Sequence, residues 1–259
     1  MDVAASSVPK LEDGLELSFG VEIEACGSTI AAMMKSFYDS GMAIIERDKW
    51  RAEGALKQAH WLHPVTQDKT WHQKQDMSVD YPHMEVCSPP MFEHEMPALL
   101  DVIRAMKRAG MHCNSSCGLH VHIGTYPKTP TSRKPPNLLD IISDVALYNT
   151  VQTFIKNLHP RYKPLARREK GYCGLDFGIE SFKYDKYLAV HMSEEHGTVE
   201  FRIFNGSLSA RHICNAVRLS KWIVASSLEH RVPVKLVDLE RSPSYEHLLG
   251  LKKKGKEVD

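Results

Sequence analysis

The stretch Cys117-Gly-Leu-His-Val-His-Ile-Gly124 decides how this chain is to be read. Side chains alternate across a β-strand with period two. His120 and His122 therefore share one face, and Leu119, Val121 and Ile123 share the other. An ordinary outward face favours Thr, Lys, Ser and mixed charges. This one carries two imidazoles bracketed by Gly118 and Gly124.

Other stretches repeat the pattern. In Phe19-Gly-Val-Glu-Ile-Glu24, Glu22 and Glu24 lie opposite Val21 and Ile23; in Thr198-Val-Glu-Phe-Arg-Ile-Phe204, Glu200 and Arg202 lie opposite Val199, Phe201 and Ile203. The short run His83-Met-Glu-Val-Cys87 adds Glu85. Gly20, Gly118 and Gly124 suggest places where backbone or ligand approaches closely. For any one strand the plain reading is a half-buried strand with a solvated outer face. Taken together, the strands suggest a shared polar floor of carboxylates, imidazoles and one guanidinium.

Clustered carboxylates repel one another unless cations neutralise them, so a divalent ion is expected. Carboxylate-rich ligation with a single imidazole suits Mg²⁺ or Mn²⁺ better than structural zinc. An arginine two residues from a ligand suits a phosphate or a carboxylate. Metal, phosphate and arginine together point to phosphoryl transfer.

Around these strands the sequence predicts four helices. Ser28 caps one that ends before Gly41. Glu93 to Arg108 carries Met96, Leu99, Leu100, Ile103 and Met106 at helical spacing and stops at Gly110. Asn137 opens a long helix through Ile141, Val145, Tyr148 and Ile155, closed by Pro160, and Ser209 opens another through Ile213, Ala216, Val217 and Val224. Strands are expected at Leu15 to Ala25, His83 to Cys87, Gly118 to Gly124, Tyr187 to Met192 and Gly197 to Phe204. Helices and strands mixed without a regular βαβ rhythm argue for an α+β fold with a mainly antiparallel sheet.

Composition sets outer bounds. The 259 residues are 42% hydrophobic and 25% charged, as expected of a globular protein with a sizeable core. Lys plus Arg, 33, nearly balances Asp plus Glu, 32, so bulk charge makes no case for nucleic acid or an anionic membrane. No stretch approaches a membrane span or a signal h-region, so a cytoplasmic protein with reduced thiols is expected. Its six cysteines are scattered without a Cys-x-x-Cys pair. The expected organisation is a flexible N-terminus over 1–14, a single domain over 15–250 and a basic flexible tail over 251–259.

Gly-Val-Glu22-Ile-Glu24, Glu85-Val-Cys-Ser88-Pro89, Cys117-Gly-Leu-His120-Val-His122 and Glu200-Phe-Arg202, in this order, resemble the glutamine synthetase and glutamate–cysteine ligase superfamily. Within it the closer resemblance is to the amidoligase family, whose motifs F-G-x-E-x-E, E-x-x-S-P, C-G-x-H-V-H and E-F-R are spread here from about Phe19 to Leu208. The resemblance implies a curved, glutamine-synthetase-like antiparallel sheet around two or more Mg²⁺ ions, with ATP at one end. It implies an ATP-dependent carboxylate–amine ligase working through an acyl-phosphate on a small-molecule or peptide carboxylate and an amine acceptor. Carried over by position, Glu24 and Glu85 hold one metal, and Glu22, His120 and Glu200 another. His122 approaches the ATP phosphates. Arg202 stabilises the transferring phosphoryl group, so Arg202, Glu85 and Glu200 are the candidate catalytic residues. Lys183, Lys186 and Arg211 lie near the motif strands and are further candidates for phosphate. The larger synthetases place another carboxylate before the one matching Glu85; Asp76 and Asp80 are the nearest here, in an open role. From the length, those synthetases' extra N-terminal domain is not expected here.

Competing readings stay open at this level. His112-Cys113-x-x-x-Cys117-x-x-His120 admits a zinc site of loose spacing. The same carboxylates and histidines would serve a metal-dependent hydrolase, or a non-catalytic binding protein that keeps the fold. Trp50, Trp61 and Trp71, with His60, His63 and His72, either line a substrate pocket or pack under a long loop. The proline-rich loop Tyr126 to Pro136 is either a lid over ATP or a plain surface excursion.

Overall fold

The computed structural model describes residues 15–40, 44–46, 71–74, 83–127, 137–157, 173–175, 178–194 and 196–230. The expected terminal segments, Asp76, Asp80, Trp50, Trp61, His60, His63, Pro160 and positions 128–136 of the proline-rich loop lie outside them.

Seven strands form one sheet: β1 (Leu15–Cys26), β2 (Ile44–Glu46), β3 (Trp71–Lys74), β4 (His83–Cys87), β5 (Gly118–Pro127), β6 (Val190–Ser193) and β7 (Thr198–Asn205). Their spatial order is β2-β3-β4-β1-β5-β7-β6. Every pairing is antiparallel except β2 with β3, so the α+β fold with a mainly antiparallel sheet is as the sequence implied. Strands β2, at the sheet edge, and β3 beside it were not expected; they are short and carry no clear period-two signature. β6 begins at Val190 rather than Tyr187, because Asp185 Oδ1 accepts the Tyr187 amide at 2.9 Å and holds that segment in a turn.

Helix α1 (Ile30–Asp39) is capped by Thr29, whose hydroxyl accepts the Ala32 amide at 3.2 Å; the cap is one residue later than the Ser28 expected. Helix α2 (Met96–Arg108) starts with Pro97 in its first turn, after a separate 3₁₀ turn at Glu93–Glu95. It ends where Gly110 takes φ +82°, a left-handed conformation open to glycine.

The long helix expected from Asn137 is two helices, α3 (Leu138–Ile141) and α4 (Asp144–Asn157). Ile142 is extended, and Ser143 restarts the chain by accepting the Ala146 amide at 3.3 Å on its hydroxyl. The break turns the helical face, so Ile141 and Val145 are exposed while Leu147, Val151 and Phe154 are buried. The short helix α5 (Ile179–Tyr184), too brief for a periodic signal, buries Phe182. Helix α6 (Ala210–His230) buries Ile213, Ala216, Val217 and Val224 as expected.

The core lies on one face of the sheet. Phe19, Val21 and Ile23 of β1, Leu119, Val121 and Ile123 of β5, and Val199, Phe201 and Ile203 of β7 are all buried. They belong to one apolar cluster with the buried faces of α1, α2, α4 and α6. Each large side chain there contributes about 1.5–3 kcal/mol on burial. Trp71 joins this core, which favours packing over a pocket for that residue. The opposite face of the central strands is left to the polar residues.

Gly206, just beyond β7, sets the approach of β7 to the start of β5. Its amide donates to Cys117 O at 2.9 Å. A Cβ there would meet Cys117 Cβ at 2.5 Å and the Cys117 carbonyl carbon at 2.9 Å. Gly206→Ala is expected to cost about 1–3 kcal/mol in denaturant unfolding. Gly178→Ser, where an added Cβ meets nothing within 4 Å, should leave the midpoint unchanged or slightly raised.

Candidate functional site

Register alone brings the singled-out residues together. Glu22 pairs with Cys87 on β4 and with His120 on β5. Glu24 pairs with Glu85. His122 pairs with Glu200 on β7, which pairs in turn with His191 on β6. A β-bulge then changes the phase: Leu119 faces Phe204 and Val121 faces Phe201, so His120 alone opposes both Arg202 and Ile203.

This floor is not a solvated outer face. Glu24 is 1% exposed, Glu85 3%, His120 3% and Glu200 6%; such side chains are almost never this buried unless paired. His120 Nδ1 lies 3.0 Å from Glu22 Oε2 and 3.6 Å from Glu200 Oε1, while its Nε2 lies 3.2 Å from Glu24 Oε1. Arg202 Nη1 donates to Glu200 Oε1 at 2.7 Å. His122 Nε2 is 3.6 Å from Glu22 Oε1, and its Nδ1 is 3.1 Å from Thr198 Oγ1. The Gly118 amide donates to Glu24 Oε2 at 2.6 Å. Gly20 faces His122 across the β1–β5 pair, and an added Cβ would meet nothing closer than 3.7 Å, so no close backbone approach requires that glycine.

Burial disfavours charge on His120, yet Glu22 and Glu24 overcome it and push the imidazole up to about 10. His122 is raised against its burial by Glu200 and Glu22. Burial would raise the Glu200 carboxyl, but the adjoining His122 and His120 hold it below the usual range. Without metal, protonated imidazole and Arg202 thus supply the positive charge that the carboxylates require.

Two sets of ligand atoms lie within 4.8 Å of one another: Glu22 with His120 and Glu200, and Glu22 with Glu85 and Cys87. The donor chemistry fits a divalent ion. In addition, the buried Nε2 atom of His122 lies between Glu22 and Glu200, at 3.6 and 3.9 Å, without a hydrogen bond, as an imidazole nitrogen turned toward an ion would.

Of the expected phosphate contacts, Lys183 pairs with Asp144 at 2.5 Å, and Lys186 lies over the Tyr187 ring at 5.3 Å. Arg211 is exposed in the first turn of α6. Among the described residues no ion pair or hydrogen bond joins these three to the cluster. The zinc grouping does not assemble: Cys113 and Cys117 come together beside Cys26, but His120 turns away from them to the carboxylates.

Sequence reasoning missed His191 and Cys87. His191 is 5% exposed, with Nε2 3.4 Å from Glu200 Oε2 and a buried Nδ1 that has no partner. The period-two phase of β6 was its one sequence signal. Cys87 shares the phase of Glu85 in the quoted motif, but reads as apolar filler until the Glu22 pairing is seen.

The family profile described as "Putative amidoligase enzyme" matches residues 15–224. No curated protein matches the chain. Among solved structures the chain is similar to a glutamine synthase homologue, at 13% identity and TM-score 0.42, covering 92% of this chain and 64% of that one. It is also similar to GmaS in an ADP complex, at 12% identity and TM-score 0.43, covering 92% of this chain and 66% of that one. The chain thus spans just under two thirds of the length of these proteins. Among the described residues no helix is long and apolar enough to cross a membrane.

His191 gives a pH test. Burial pulls its imidazole down from 6.5 to about 4, despite Glu200 beside it. With the folded value below the unfolded one, its contribution to stability is present above 6.5 and is lost as pH falls toward 4. His191→Gln should therefore flatten this part of the stability–pH profile of metal-free protein. Unfolding midpoints at stepped pH would read it, and an unchanged slope would contradict the assignment.

Proposed function

The chain belongs to the amidoligase family, and we propose that it is an ATP-dependent carboxylate–amine ligase working through an acyl-phosphate intermediate. One observation carries this reading. Glu22, His120 and Glu200, from three neighbouring strands, converge within ligand distance of one another, and Arg202 is hydrogen-bonded to Glu200 at 2.7 Å. That combination suits phosphoryl transfer, in which positioning and charge neutralisation account for most of the catalysis.

Glu22, His120 and Glu200 would hold one divalent ion, and Glu85, with Glu24 beside it, would border a second. Mg²⁺ or Mn²⁺ there would neutralise phosphate charge and polarise the transferring phosphoryl group. Glu24, fixed by the Gly118 amide and close to His120, orients the imidazole toward the site. His120 must lose its proton to take a metal, so metal binding should release protons at neutral pH.

His122, beside Glu22 and Glu200 and anchored by Thr198, is the proposed contact for the nucleotide phosphates. Arg202 presents a planar guanidinium where charge develops as the γ-phosphoryl passes to the substrate carboxylate and ADP departs. An amine then attacks the acyl carbon, and phosphate leaves with formation of the amide. The substrates are a small-molecule or peptide carboxylate and an amine.

With ATP, Mg²⁺ and a panel of amino acids and amines, the protein should release ADP and phosphate and yield a new amide by mass. AMP with pyrophosphate, or hydrolysis without amide, would overturn the acyl-phosphate scheme. Glu22→Gln should lower activity by orders of magnitude while the fold is kept, as relieved carboxylate repulsion predicts.

Arg202→Lys keeps the charge and loses the fork. It should lower kcat by roughly 10²-fold or more, on the order of 3 kcal/mol, with a much smaller change in the KM for ATP. A normal kcat with only a raised KM would make Arg202 a positioning residue and favour a metal-dependent hydrolase.

A further inference from the structure

We propose that Cys87 is a thiolate ligand of the metal position it forms with Glu22 and Glu85, and that this position therefore prefers Co²⁺ or Zn²⁺ to Mg²⁺. The inference rests on the metal-binding part of the ligase reading and alters the identity of one ion.

The placement follows from backbone register. Glu85 and Cys87 are two residues apart on β4 and share a face, and Cys87 is the direct cross-strand partner of Glu22. The sulfur and one carboxylate oxygen from each glutamate lie within 4.8 Å of one another. Cys87 Sγ donates to Glu85 Oε1 at 3.4 Å, so the thiol points at the carboxylate rather than into the core. Glu24, the other carboxylate near Glu85, is held differently: its Oε2 accepts the Gly118 amide at 2.6 Å, and its Oε1 lies 3.2 Å from His120 Nε2. The sulfur therefore stands with Glu22 and Glu85 in one set of donor atoms.

A second observation points to a cation beside Glu22, the carboxylate this position shares. His122 is 9% exposed, and its buried Nε2 has no hydrogen-bond partner and lies 3.6 Å from Glu22 Oε1. On the other side of Cys87 the register position belongs to His72 of β3.

The chemistry follows from the donor atom. Mg²⁺ favours oxygen ligands in a near-ideal octahedron, whereas thiolate selects softer ions. On coordination the metal–sulfur bond replaces the S–H bond, and the proton passes to solvent. No oxidant or reductant is needed.

The test is a Co²⁺ titration of the protein, reading near-ultraviolet sulfur-to-metal charge transfer and competition by Mg²⁺. A charge-transfer band is expected in the natural protein and should be absent from Cys87→Ser. Co²⁺ and Zn²⁺ affinity at this position should fall by about tenfold or more in that variant, with Mg²⁺ affinity nearly unchanged. Cys87→Ala serves as a second variant if serine perturbs folding, and Cys117→Ser should keep the band.

Co²⁺ binding without the band, or with a band that survives in Cys87→Ser and Cys87→Ala, would overturn the proposal and leave the ligase reading standing. Failure of the natural protein to bind any divalent ion would sink both.

Discussion

Everything at this site depends on one electrostatic constraint: buried carboxylates on one sheet face must be matched by positive charge. Glu24, Glu85 and Glu200 are almost wholly buried, and Glu22 is only partly exposed. Arg202 answers part of the demand. His120 answers more, drawn to its charged form between Glu22 and Glu24 despite burial. A protonated imidazole is a replaceable cation, because it can give up its proton to an ion of higher charge. The contacts that balance charge in the metal-free protein are thus the ones an ion would replace under the proposed function.

The fold supplies the rigidity this arrangement needs. The three central strands carry apolar residues on one face, sealed against the helices, and charged residues on the other. Period-two alternation locks the faces together, since a slip of one residue would send glutamates into the core and valines into the site. The β-bulge opposite His120 is a deliberate departure from that regularity. It sets two β7 residues against one of β5, with Arg202 beside Glu200 and Ile203 still buried. Gly206 then lets the end of β7 lie against Cys117 at the mouth of β5.

Around this floor the cationic side chains differ in their commitments. Arg202 is tied to Glu200, while Lys183 is spent on Asp144 and Lys186 on the Tyr187 ring. His191, by contrast, is an unremarked histidine on a short edge strand that is buried against the central carboxylate.

Local pattern was enough to reveal the amphipathic character of β1, β4, β5 and β7, because strand alternation is set by backbone geometry and leaves a trace at every second residue. For the same reason Glu22, Glu24, Glu85, His120, His122, Glu200 and Arg202 could be named from the sequence, along with the cores of α2 and α6. The expected helix from Asn137 failed because a single extended residue, Ile142, resets the helical phase, and periodicity averages over such a break. Strands β2 and β3 were silent because strands of three and four residues are too short to carry a period. Which carboxylates stand beside which cation depended on register between strands up to about a hundred residues apart. Only tertiary structure decided that Cys87 meets Glu22, that His191 meets Glu200, and that a bulge brings Arg202 opposite His120.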